Sequence, residues 1–92
     1  MEQFYDDESG YLRWKNANSS GYVLNCYKAT SRSGGPYMLH RAACHTLENK
    51  NLTTGQYYKV CSLDRADLIS WADREQSENG YDALKRCTKC NP

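Results

Sequence analysis

Hydrophobic and polar positions along the chain fall into short runs, most with the two-residue period of strands. Tyr22-Val23-Leu24-Asn25-Cys26-Tyr27-Lys28 is rich in β-formers and predicts a strand. Tyr11-Leu12-Arg13-Trp14-Lys15 predicts a shorter one, and the turn-forming run Asn16 to Gly21 would join the two as a hairpin. Tyr37-Met38-Leu39-His40 predicts a third strand running into a tight turn or one helical turn at Arg41-Ala42-Ala43-Cys44. A fourth is predicted at Gln56-Tyr57-Tyr58-Lys59-Val60-Cys61, after a polar stretch from Glu48 to Gly55.

One segment carries a helical period. Leu63, Ala66, Ile69 and Ala72, with Leu68 and Trp71 beside them, form an apolar stripe that would pack on the sheet. Ser62 is placed to cap this helix, Asp64 suits its first turn, and Gly80 lies just past its end. Residues 1–9 read as a flexible, solvated tail, and 31–36 as a loop rich in Ser and Gly. The predicted fold is α+β: a small antiparallel sheet of three to four strands on one main helix, in a single domain over residues 10–92.

Composition adds a difficulty to this picture. Only 39% of the 92 residues are hydrophobic, and eight of those are tyrosines, whose hydroxyls need partners when buried. A chain this short has a marginal core unless something staples it. The five cysteines are the candidate staple. The acidic run at residues 1–8 lacks the apolar stretch of a secretory signal, and no run of about 18 apolar residues suggests a membrane span. The expectation is therefore a reducing, cytoplasmic setting, where clustered cysteines bind metal rather than form disulfides. Two glycosylation sequons, at Asn18 and Asn51, would matter only in a secreted chain.

The pair in Arg86-Cys87-Thr88-Lys89-Cys90 has the spacing at which two thiolates reach one tetrahedral zinc ion. A redox pair of this spacing would sit at a helix start after a strand, whereas this one lies near the end of the sequence. Closing a structural site takes two more ligands. Cys44 is the best third, and His40, four residues before it, faces the same point if the segment turns. Cys61, at a strand end, is the rival for the fourth position, although such a cysteine is equally a small buried hydrophobe. Cys26, inside a strand, is read as packing, and His45 as pointing away. One structural Zn²⁺ is the cofactor expected.

The segment from Tyr37 to Leu47, with Cys87-Thr88-Lys89-Cys90-Asn91-Pro92 far downstream, resembles the N-terminal metal-binding domain of the Ada type. That pattern runs strand, H-x-x-x-C, helix, C-x-x-C-x-P, and it implies His40, Cys44, Cys87 and Cys90 as ligands. It covers residues 37–92, leaves Cys61 without a counterpart, and has a shorter insert between its two halves. The resemblance implies a bacterial or phage context in DNA processing. In Ada itself a zinc-bound cysteine accepts a methyl group from DNA.

Net charge is +1, too balanced to indicate a nucleic-acid partner by itself. The charge is unevenly spread, however: residues 1–8 hold four acids, and residues 85–89 hold three bases. Lys28, Arg32, Arg41, Lys85, Arg86 and Lys89 are therefore the candidates for contact with nucleic acid, with exposed tyrosines available to stack on bases. A zinc-stabilised adaptor or inhibitor of a larger protein is the second expectation. A sacrificial methyl acceptor at Cys44 or Cys61 is the third. No hydrolase motif or phosphate-binding glycine loop is present, and nothing identifies a small-molecule substrate.

Overall fold

The computed structural model describes residues 1–28, 37–47, 53–79 and 84–92. Among these residues the elements are β1 (Glu2–Phe4), α1 (Glu8–Ala17), β2 (Tyr22–Tyr27), β3 (Met38–Arg41), β4 (Tyr57–Ser62), α2 (Arg65–Asn79) and β5 (Lys85–Arg86). A single 3₁₀ turn, His45–Leu47, follows β3. The strands form one sheet in the order β1-β4-β2-β3-β5, antiparallel except for the parallel pair β3–β5. The chain is thus α+β as expected, with five strands and two helices where three to four and one were predicted.

β2 sorts the side chains between two faces, because residues alternate along each strand and its register aligns both neighbours. Leu24, Cys26, Leu39 and Val60 face one side, where Leu68, Trp71 and Ala72 of α2 pack on them. Phe4, Val23 and Cys61 face the other, joined by Tyr11 of α1 and by Ala42, Cys44, Leu47 and Cys87. Each fully buried Leu or Val contributes about 1.5–3 kcal/mol, so both faces carry stability. The cysteines of interest lie on the α1 side.

The strand predicted at Tyr11–Lys15 is a helix instead, and the hairpin with residues 22–28 does not form. The reason lies upstream. Asp7 caps the helix, its Oδ1 accepting from Gly10 N at 2.9 Å. Glu8 in the first turn and Lys15 in the last complement the helix dipole. Tyr11 and Trp14, three apart, then fall on the buried side. Gly21 ends the following turn where no side chain fits: a Cβ would lie 2.9 Å from the Trp14 ring and 3.1 Å from the Ser62 carbonyl.

Residues 1–9, expected as a tail, hold β1 and the start of α1. Phe4 is buried, and β1 pairs with β4. The anchor is Thr53, wholly buried within the stretch read as polar. Its hydroxyl accepts from Asp7 N at 2.8 Å and donates to Glu8 Oε1 at 2.7 Å, and its backbone N–H also donates to Glu8.

α2 begins two residues later than expected. Ser62 ends β4, and the capping side chain is Asp64, whose Oδ1 accepts from Ala66 N at 2.9 Å. The buried face is consequently Leu68, Trp71 and Ala72, while Leu63 and Ala66 of the predicted stripe are exposed. The predicted loop 31–36, residues 48–52 of the polar stretch, and Gly80 lie outside the described residues. Among the described residues no helix is long and apolar enough to cross a membrane.

Candidate metal centre

Two segments meet at the β3–β5 edge. β3 delivers His40 to the α1 face, opposite Val23 of β2. A tight turn then brings Cys44 back beneath it, closed by Cys44 N donating to the Arg41 carbonyl at 3.0 Å. From the other end of the chain, β5 lies parallel to β3 with Arg86 opposite Leu39, so Cys87 arrives beside His40. Cys87 N donates to the Leu39 carbonyl at 2.9 Å and fixes that position.

The turn after Cys87 folds Cys90 onto the same point. Asn91 N donates to the Cys87 carbonyl at 3.1 Å, with Asn91 at φ 50°, a left-handed conformation that Asn tolerates better than most residues. Lys89 N points at Cys87 Sγ (3.4 Å) and Arg41 N at Cys90 Sγ (3.2 Å). Such N–H groups favour thiolates over thiols.

The ligand atoms of His40, Cys44, Cys87 and Cys90 all lie within 4.8 Å of one another. His40, Cys44 and Cys87 are buried, and Cys90 is half-buried. The separation of Cys44 Sγ and Cys87 Sγ is 3.9 Å. A tetrahedron with metal–sulfur bonds of about 2.3 Å has edges of about 3.8 Å, so this pair is already spaced to share a metal ion.

Protonation is biased the same way at His40 and Cys87. Burial, and secondarily the charge of Lys59, push the His40 imidazole down to about 4, which keeps it neutral and able to ligate. Its contribution to stability is present above the ordinary value of 6.5 and is lost as pH falls from there towards 4. Burial raises Cys87, but N–H groups of Cys90 and Lys89 and the Thr46 and Cys44 side chains outweigh it and bring the thiol down to about 7. Cys90 goes the other way, to about 11, through burial and its neighbouring thiols.

Thr46, which the motif reading missed, and Arg41, which it read as a nucleic-acid contact, complete the surroundings. Thr46 Oγ1 lies 3.0 Å from Cys44 Sγ, 3.3 Å from His40 Nδ1 and 3.9 Å from Cys87 Sγ. The Arg41 guanidinium donates to the carbonyls of Cys90 (2.8 Å) and Asn91 (2.9 Å), latching the final residues to β3. The only sequence signal for either was proximity to His40 and Cys44.

The remaining candidates go elsewhere. Cys61 is wholly buried on β4, outside the cluster, and burial drives its thiol up to about 12. Cys26 is likewise buried, on the α2 face. His45 is exposed. Among the residues predicted to meet nucleic acid, Lys85, Arg86 and Lys89 are exposed around the cluster, and Arg41 is engaged as described. Lys28 lies away from them, paired with Asp6 at 2.6 Å and set over the Tyr5 ring. Arg32 falls outside the described residues.

The described residues therefore hold a His/Cys/Cys/Cys cluster within metal-binding distance, compatible with a small zinc site. Compared with protein-family models, with curated proteins and with solved structures, the chain matches none.

Proposed function

We propose that the chain is a zinc-closed binding module whose metal-bearing edge contacts the phosphate backbone of nucleic acid. The observation that carries this reading is the placing of Lys85, Arg86 and Lys89, all exposed, on the segment that the Cys87–Cys90 pair fixes. No acidic residue lies between positions 83 and 92. Three thiolates and an imidazole suit zinc, and four protein ligands leave no open position, so the ion is structural. Its chemistry is to hold residues 84–92 against β3. An Ada-type kinship fits the same ligand set. Methyl acceptance is not favoured, because Cys44 and Cys61, the thiols to which that role would fall, are both buried.

The test joins metal analysis to a salt-resolved binding assay. Native mass spectrometry should give a mass excess of one zinc ion, lost on acid denaturation with five free thiols. Retention on double-stranded DNA or RNA should fall with log salt at a slope of about −2.7, as three phosphate contacts require. The triple variant Lys85→Glu, Arg86→Glu, Lys89→Glu should lose it while keeping its zinc. Retention unchanged in that variant, or none at low salt, would sink the nucleic-acid reading and leave the metal site standing. A protein partner is the second reading, and one specific cleft favours it.

A further inference from the structure

The edge of the sheet opposite β5 has the reverse electrostatic character. Where β1 begins and β4 ends, the second half of α1 and the start of α2 enclose a cleft of about 420 Å³. That volume lies within the range of clefts that hold ligands or a few side chains. Its apolar lining residues are Trp14, Cys61, Met1 and Leu63, the last two 56% and 61% exposed. Its polar lining residues are Asn18, Ser62 and three exposed acidic residues, Glu2, Asp64 and Asp67.

Part of this arrangement has a purely local explanation. Asp64 caps α2, and Asp67 in the first turn complements the helix dipole. Glu2 has no such role, since it comes from a different element, and it brings a third negative charge to the same space. None of the three has a cationic partner among the described residues. Large exposed apolar side chains beside unpaired carboxylates and an indole form a surface that is incompletely satisfied by the chain itself. An indole face and carboxylates both attract cations.

We propose that this cleft binds a basic, amphipathic peptide segment of a partner protein. An aliphatic side chain of the segment packs against Trp14, Met1 and Leu63, and flanking arginine or lysine side chains meet Glu2, Asp64 and Asp67. Charge complementarity selects this occupant, because phosphate would be repelled by all three carboxylates. The module then presents opposite charges at its two sheet edges, one suited to an anionic polymer and the other to a cationic peptide. The cleft shares no residue with the metal cluster or the basic edge, so this inference stands or falls apart from the preceding one.

The test uses ¹⁵N-labelled, zinc-loaded protein and a synthetic octapeptide of alternating arginine and leucine. Its control is the same peptide with glutamate for arginine. The chain has two indole N–H resonances, one from Trp14 in the cleft and one from Trp71 packed between α2 and the sheet. Saturable shifts are expected at the Trp14 indole and at the Leu63 and Asp67 amides, with the Trp71 indole unmoved. The double variant Glu2→Lys, Asp67→Lys should weaken binding at least tenfold. Leu63→Ser, at an exposed position outside the helix, should weaken it several-fold without unfolding the chain. Four results would each overturn the proposal: no movement at Trp14 with millimolar peptide, equal binding of the acidic control, affinity unaffected by the double variant, or the same resonances moving with protein concentration alone. The last would assign the cleft to a second copy of this chain.

Discussion

The two ends of the chain reach the same sheet by different physics. Residues 84–92 contribute a two-residue strand, a single parallel pairing and little apolar surface; Cys87 is their one buried side chain. What positions them is the converging set of His40, Cys44, Cys87 and Cys90, reinforced by the Arg41 latch. Residues 1–17 contribute no ligand. They are held by the buried rings of Phe4 and Tyr11, the Asp7 cap, and the Thr53 hydrogen bonds to Asp7 and Glu8. One end carries a cluster able to hold a metal ion, the other is held by packing and polar pairing. In a chain with only 39% hydrophobic residues, coordination at that cluster would replace core that the C-terminal end lacks.

The largest effect that separates the two ends is metal removal. Cys87→Ser should abolish zinc binding and release residues 84–92, and a strong chelator should do the same to the unsubstituted protein. Zinc binding in small metal-dependent domains is worth on the order of 10 kcal/mol, comparable with the whole stability of a small domain. Thermal melting followed by circular dichroism, with metal content measured on the same sample, checks this. Cys26→Ser, at a buried thiol that bonds to the Leu24 carbonyl at 3.7 Å and to Tyr58, away from the cluster, should lose far less and keep its metal. If the two variants melted alike, coordination would not be what closes the C-terminal end.

The complementary break is at Thr53. Thr53→Val preserves shape but leaves Asp7 N without its acceptor and removes the hydroxyl's hydrogen bond to the Glu8 carboxylate, which keeps the one from Thr53 N. The expected loss is about 1–3 kcal/mol, read from the denaturant midpoint, with zinc content unchanged. A variant that also lost zinc would show that the N-terminal packing and the metal centre are one cooperative unit.

This contrast also explains what could be read from the sequence. A tetrahedral site needs few residues, and its spacing is local within each half: His40 with Cys44, Cys87 with Cys90. Those four stood out together with Cys61, and the structure brings the four to one point without it. The choice between His40 and Cys61 was not legible, because both lie on the α1 face of the sheet and the outcome depends on which strand neighbours β5. β3 turns His40 towards β5, whereas Cys61 on β4 lies among Val23, Phe4 and Tyr11. The N-terminal elements were misread for a related reason. The Tyr11–Lys15 segment is short and rich in β-formers, and its helical state is decided by Asp7 as cap and by the docking of Tyr11 on β1 and β4, a tertiary contact. Thr53 gave no signal at all, since a lone threonine in a polar stretch is ordinarily solvated. Strands built on long alternation, β2 and β4, were found within a residue or two of their ends.

The smallest predicted effect tests the contrast most finely. Tyr11 is wholly buried, and its hydroxyl has no hydrogen-bond partner among the described residues. Burial raises its pKa well beyond the ordinary phenol range, and Cys61, Glu8 and Cys44 add to the shift, so the group stays neutral and its donor unused. A buried unsatisfied hydroxyl costs about 1–3 kcal/mol, while the ring earns its place against Phe4, at a centroid separation of 6.1 Å. Tyr11→Phe keeps the ring and removes only the orphaned group. Stability should therefore be unchanged or higher by about 1 kcal/mol, as measured by urea unfolding of the zinc-loaded protein. A clear loss would mean that the hydroxyl does find a partner. The acceptor of consequence would be Cys44, one of the groups that add to the shift. In that case α1 would be bonded to the metal centre's own surroundings, and the division between a packed end and a coordinated end would have to be given up.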